Sequence, residues 1–355
     1  MISAGGGDTD SLRSDPTRLD EASLERYLTA NLEGFKGPLK AEKFSGGQSN
    51  PTFRISAGGK QYVLRRKPPG QLLKSAHQVD REYRVMKALA GTGVPVPRMH
   101  LLCEDETVIG TIFFVMEYLD GRIFWDPALP DMSNADRTRL YDDMNRMLAA
   151  LASLDPAAIG LAEFGRPGSY YARQTKRWTD QYRASETVKI PDMELLIDWL
   201  GKNMPAEDGL VSVVHGDYRL DNMIFHPVEP RCLAALDWEL STLGHPYSDI
   251  AYQCMQWRLP NEGNFRGLGG LDRAALGIPT EEDYVARFCE RMKITSIPIW
   301  TFCLVFNFFR LAAIIQGVYK RGLDGSASNR ESALQRGAAV PMMAKMAVDL
   351  LDKAK

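Results

Sequence analysis

Residues 211–227, VSVVHGDYRLDNMIFHP, and 232–240, CLAALDWEL, decide the reading of this chain. Each run opens on apolar, partly β-branched residues and ends in polar ones, the pattern of two small strands with polar loops at their ends. Polar loops on a rigid scaffold are where binding and catalytic groups concentrate. The first loop holds His215, Gly216, Asp217, Tyr218, Arg219, Leu220, Asp221 and Asn222, and Asp237 follows after one hairpin. Two carboxylates and an amide oxygen thereby converge. Magnesium is a hard cation that takes oxygen ligands and shares them with substrate phosphates. One carboxylate and one amide suit such a nucleotide-bound ion, and the other carboxylate is left to orient a hydroxyl. Singly, these residues have plainer readings, because Asp and Asn favour turns and a His after a strand is often hydrogen-bonded core. The ordered set carries the argument.

That order, H-x-D-x-x-x-x-N and then a metal-binding Asp, matches the kinase sequence of catalytic Asp, metal Asn and metal Asp. With Gly216 in second place, the chain resembles the aminoglycoside phosphotransferase and choline kinase group. The resemblance implies an α+β, protein-kinase-like bilobal fold, an antiparallel β N-lobe and a mostly α C-lobe that close on Mg-ATP. It implies Asp217 as the base for an acceptor hydroxyl, with Arg219 and His215 as catalytic-loop companions. Asn222 and Asp237 are then the magnesium ligands.

The remaining parts should stand upstream in fixed order. KAEKF (40–44), TFRIS (52–56) and QYVLRR (61–66) read as an antiparallel meander, with MHLLC (99–103) and TIFFVMEY (111–118) as two further strands. Between the first two lies Phe44–Asn50, where Gly46, Gly47, Ser49 and Asn50 could cover phosphates with N–H groups and a hydroxyl. By itself this stretch is a hairpin turn; its place in the order gives it a ligand role. On the third strand Arg65 stands where the family has Lys, and Lys67 shares its face, so either serves as the phosphate cation. Val79, Tyr83, Met86 and Leu89 recur at helical spacing over 78–89, and Glu82 in that helix matches the Glu that pairs with the cation. Backbone groups of Glu117 and Leu119 match the adenine contacts.

Downstream, helical periodicity covers 136–154, 170–183, 192–203, 280–292, 298–319 and 331–352. Asp249, at the start of a further helix, resembles the buried Asp that braces the family's catalytic loop. Ile297–Val318 is long and apolar enough to span a bilayer, but Asn307 and Arg310 interrupt it, which predicts a buried core helix. The domain reading is a disordered tail over 1–16, an N-lobe over 17–118 and a C-lobe over 119–355. With 45% hydrophobic residues and 25% charged among 355, the chain is neither disordered nor fibrous. A formal net charge of -2 gives no global pull toward nucleic acid or an anionic membrane. Five scattered cysteines without C-x-x-C, and a start lacking a secretory signal, point to a reducing cytoplasm.

The stretches Tyr170–Tyr182, DWELSTLGHPYSDIAY and FFRLAAIIQGVYKR are similar to the phosphotransferase-like segment of acyl-CoA dehydrogenase family members 10 and 11 and of free-standing bacterial relatives. This similarity covers roughly Lys40 to Met346. It implies phosphorylation of a hydroxylated acyl chain such as a 4-hydroxyacyl-CoA, with the dehydrogenase part absent. Arg173, Lys176, Arg177 and Arg183 could meet CoA phosphates or simply be solvated, and Arg310 must find an anion or several acceptors. A polycationic aminoglycoside would want an acidic pocket, for which no carboxylate cluster speaks. The expected partner is a small hydroxylated acceptor, with no nucleic acid and no membrane. The alternatives are an aminoglycoside or choline-type kinase, or a non-catalytic nucleotide-binding module that keeps the fold, supported by Arg65 and the loose glycine turn. A protein kinase is disfavoured, since no A-P-E follows Asp237.

Overall fold

The computed structural model describes residues 17–44, 50–68, 78–166, 168–263, 265–327 and 329–352. The expected tail over 1–16 and the centre of the glycine turn, with Gly46, Gly47 and Ser49, lie outside them. The chain groups into two units, one reaching Gly121 and including Leu233–Glu239, the other formed by Arg122–Cys232 and Leu240 onward.

The first unit is built on a five-stranded antiparallel sheet, β1 (Leu39–Lys43), β2 (Thr52–Ala57), β3 (Lys60–Arg66), β4 (Met99–Cys103) and β5 (Phe113–Glu117), in the order β1-β2-β3-β5-β4. Helix α1 (Glu21–Asn31) begins at Asp20, whose side chain caps the Ser23 N–H. The sequence reading did not include it, although Leu24 and Leu28 repeat at one helical turn. Alternation along β2 puts Phe53, Ile55 and Ala57 on one face, in one core with Leu24, Leu28, Leu64, Phe113 and Val115. Each such side chain contributes roughly 1.5–3 kcal/mol when fully buried. Strand β1 is an edge, and α1 covers it: Glu25 accepts the Leu39 N–H at 2.7 Å and Glu21 that of Ala41 at 2.9 Å. Helix α2 (Val79–Leu89) buries Val79, Glu82, Val85, Met86 and Leu89. Tyr83, expected on that stripe, is only half-buried, and the acidic Glu82 takes a core position instead.

The second unit is mostly helical: α3 (Asn134–Ala152), α4 (Tyr170–Ser185), α5 (Pro191–Lys202), α6 (Ser248–Cys254), α7 (Arg273–Leu276), α8 (Glu281–Met292), α9 (Trp300–Leu323), α10 (Arg330–Arg336) and α11 (Ala339–Asp352). Strand β6 (Ser212–Val214) pairs antiparallel with β9 (Thr242–Gly244), and the short strands β7 (Met223–Phe225) and β8 (Cys232–Ala235) lie between them in sequence. The single helix expected over 331–352 is two, broken at Gly337, where a side chain would meet the Tyr319 ring at 2.2 Å. Helix α9 is the one described helix long and apolar enough to cross a membrane, and 78% of its most apolar window is buried inside the protein. It packs against α4, α6, α10 and α11. Asn307 and Arg310, the two interruptions in its apolar run, are both buried and hydrogen-bonded.

Candidate active site

Each unit carries one cluster of the candidate residues. In the first, Arg65 near the end of β3 is the centre. Its Nε lies 2.8 Å from Glu82 Oε2, its Nη2 2.7 Å from Asp237 Oδ1, and Glu239 stands 3.9 Å away. A guanidinium presents five donors in a fixed fork, so one side chain can hold two carboxylates at once. Glu82 is 2% exposed, and burial pushes its carboxyl up to about 7, with Asp237 and Glu239 adding to the rise and Arg65 opposing it. Lys67 lies one residue beyond β3, and Arg65 is the cation that meets Glu82.

Asp237 has φ +64, the left-handed region that few non-glycine residues adopt, though Asp tolerates it. The next residue, Trp238, is fully buried and donates its indole N–H to Ala235 O at 3.0 Å, which pins the turn. Asp237 keeps Oδ2 without a hydrogen-bond partner among the described residues. At the end of β5, Glu117 Oε2 accepts the Arg98 N–H at 3.1 Å and the Glu117 N–H donates to Arg98 O at 2.8 Å, so both groups are engaged at the strand end. The N–H of half-buried Leu119 has no partner among the described residues. Asn50, at the rim of the glycine turn, is 2% exposed.

In the second unit, β6 delivers the chain into the loop 215–219 and a 3-10 turn, Leu220–Asn222, leads into β7. Gly216 has φ +85, and a side chain there would reach within 2.8 Å of the Leu240 carbonyl oxygen, so only glycine fits. Tyr218 points inward and donates to Met144 O at 2.8 Å, anchoring the loop to α3. Buried Asp249, at the start of α6, accepts the His215 N–H at 2.7 Å and the Gly216 N–H at 2.9 Å, the bracing contact expected of it. Burial raises the Asp249 carboxyl above its ordinary range, against the pull of these two bonds and of Arg310.

The Asp217 carboxylate lies at the centre. Its Oδ2 accepts from Asn222 Nδ2 at 2.9 Å, its Oδ1 accepts from the Tyr252 hydroxyl, and Arg219 Nε stands 3.2 Å from Oδ1. The Asp217 N–H meets His215 Nδ1 at 3.2 Å, and Arg219 also pairs with Asp221 at 2.8 Å. Burial works to raise the Asp217 carboxyl, but Arg219, the Tyr252 hydroxyl and the Asn222 amide outweigh it, and the group is held below the usual range as a carboxylate. The sequence reading missed Tyr252. Its signal was present, since Tyr252 stands three residues after Asp249 and shares its helix face. Arg310, on α9, finds three acceptors: the Gly216 carbonyl at 2.5 Å and the ring faces of Trp178 at 5.6 Å and Tyr252 at 5.5 Å. The solvated arginines of α4 divide, with Arg177 lying over the Trp178 ring at 5.1 Å and Arg183 paired with Glu194.

Each unit offers one oxygen donor of the kind that magnesium takes. Asn222 turns its amide nitrogen to Asp217, which leaves its carbonyl oxygen without a partner among the described residues, and Asp237 keeps one carboxylate oxygen. No group of three or more His, Cys, Asp or Glu side chains able to hold an ion unaided occurs among the described residues.

Residues 40–282 match the model of the APH family, described as the phosphotransferase enzyme family. Acyl-CoA dehydrogenase family member 10 of Mus musculus is 48% identical over 337 residues, which is 94% of this chain and 31% of that protein. Family member 11 of Homo sapiens is 44% identical over 322 residues, 89% of this chain and 41% of that one. This chain thus spans about a third to two fifths of the length of these relatives. A Ralstonia eutropha structure, a candidate aminoglycoside phosphotransferase, is 51% identical with a TM-score of 0.87, covering 95% of this chain and 99% of that one. The ternary complex of APH(2'')-IIa with streptomycin and ATP shares the fold at 14% identity, TM-score 0.59, over 92% of this chain and 98% of that one. The chain belongs to the APH phosphotransferase family and has its protein-kinase-like α+β fold.

Proposed function

We propose that this protein is an ATP-dependent small-molecule kinase that transfers the γ-phosphoryl group to a substrate hydroxyl, with Asp217 as the base. The observation that carries the reading is the half-buried Asp217 carboxylate in a His-Gly-Asp loop whose backbone is held by Asp249 and whose carboxylate is held by Asn222. The acceptor oxygen attacks the γ-phosphorus, its proton passes to Asp217, and the bond from phosphorus to the bridging oxygen of ADP breaks. Arg65, oriented by Glu82, is the proposed phosphate cation, and the backbone at Gly46, Gly47, Ser49 and Asn50 the phosphate cover. Glu117 and Leu119 backbone groups are the proposed adenine contacts. Asn222 and Asp237 would hold magnesium, which would offset the charge of the β- and γ-phosphates. His215 and Arg219 act on the base, Arg219 through its contact with Oδ1.

A hydroxyacyl-CoA is the proposed acceptor, supported by the names of the acyl-CoA dehydrogenase relatives. Arg177, Arg219 and Arg310 around Trp178 and Tyr252 suit an anionic acceptor better than a polycationic aminoglycoside. Five free, buried cysteines support a reducing cytoplasm as the place of action. The test has two arms. ATP should raise the melting temperature in a magnesium-dependent way, and Asp237→Ala should remove the magnesium dependence. Asp217→Asn should lower phosphoryl transfer to a 4-hydroxyacyl-CoA by about 10²–10⁴-fold while ATP still stabilises the variant. Absence of any shift at millimolar ATP would favour the non-catalytic module, and transfer to streptomycin alone would favour the aminoglycoside reading.

A further inference from the structure

An ionised carboxylate has about four lone-pair positions. On Asp217, Oδ1 faces both the Tyr252 hydroxyl and Arg219 Nε, and Oδ2 takes the Asn222 amide. Hydrogen bonds fill one position on each oxygen; Arg219 Nε crowds the remainder of Oδ1 by charge contact without a hydrogen bond, and Oδ2 keeps the open lone pair for an acceptor hydroxyl. The group that decides which oxygen stays open is Tyr252, because it fills the opposite one by a direct hydrogen bond from a buried position. Burial raises its phenol far above the ordinary range, so it remains a donor.

Tyr252 is itself held. It stands on α6 one turn beyond Asp249, so one seven-residue helix grips the loop backbone with the carboxylate and the base with the phenol. From the other side Arg310 lies 5.5 Å over the Tyr252 ring while donating to Gly216 O. A long buried helix, α9, thereby ties the phenol and the loop to one guanidinium.

We propose that Tyr252 is a positioning residue for the phosphoryl transfer: its hydroxyl fixes the Asp217 carboxylate so that the open lone pair of Oδ2 meets the acceptor hydroxyl, and Arg310 braces it. This rests on the reading of Asp217 as the base. Tyr252→Phe tests it in the full chain, because it removes one oxygen and keeps the ring under Arg310. With Mg-ATP and a 4-hydroxyacyl-CoA, or with water as acceptor if that probe is not used, kcat should fall about ten- to a hundred-fold. KM for ATP and the thermal shift by ATP should stay as in the parent chain. In an Asp217→Asn background the same substitution should cause no further loss. An equal loss in both backgrounds would mark a general structural effect and overturn the proposal, even if Tyr252→Phe melts lower. Unchanged kcat in Tyr252→Phe, with Asp217→Asn inactive, would overturn it while leaving the base in place. Full turnover in Asp217→Asn, or none in the parent chain with either acceptor, would remove both.

Discussion

At Arg65, where the resemblance leads one to expect Lys, the side chain brings a forked geometry as well as a charge. An ammonium is a point charge, whereas the Arg65 fork reaches Glu82 through Nε and Asp237 through Nη2. Glu82 is almost fully buried, so removing its partner leaves an uncompensated charge in the core. Arg65→Met should therefore lower stability by about 3–5 kcal/mol, read by urea unfolding. Arg65→Met combined with Glu82→Gln should recover a large part of that loss, because no buried charge is then stranded. A double variant as unstable as the single one would mean that packing rather than charge sets the cost. The pairing of Arg65 with Glu82 was legible from motif order alone. That Asp237 joins it was not, because 172 positions separate it from Arg65 and nothing in periodicity reports such a contact.

Among elements, the short helix α6 shows what a motif leaves out. Asp249 could be found because the family supplies a residue in that place; Tyr252 follows from the helix, since positions three apart share a face. The helix α9 was legible for a related reason, as polar residues in a long apolar run had to be buried and paired, and Arg310 and Asn307 are. The close approach of the Tyr319 ring to Gly337, at the break between α10 and α11, escaped the sequence reading because it comes from another helix. The loop after β6 is equally exacting. Gly216→Ala would put a left-handed backbone, costing about 1–2 kcal/mol, together with a side chain facing a carbonyl that cannot yield. We expect a stability loss of at least about 2 kcal/mol and roughly a hundred-fold loss of transfer, since the base moves with its loop. Thermal melts and initial rates on one preparation would check both.

For the molecule as a whole, acid should be a stress. Burial lowers the pKa of His245 from its ordinary 6.5, against the contact with Asp208, and burial followed by the nearby Arg98 lowers that of His100. Both are favoured neutral in the fold, so the unfolded chain takes up their protons first as pH falls, and stability declines through and below about pH 6.5. Replacing His100 and His245 by Asn should flatten the melting temperature between pH 7 and 5.5; an unchanged slope would assign the acid sensitivity to the carboxylates. The first helix has a different consequence. Glu21 and Glu25 occupy outward N–H groups of the edge strand β1, which otherwise offers a template for another chain's strand. Trimming the chain to Leu32 would lay that template bare along with Phe53 and Ile55, so a shortened form should self-associate through its sheets, and light scattering would rise with concentration where the longer chain stays clear.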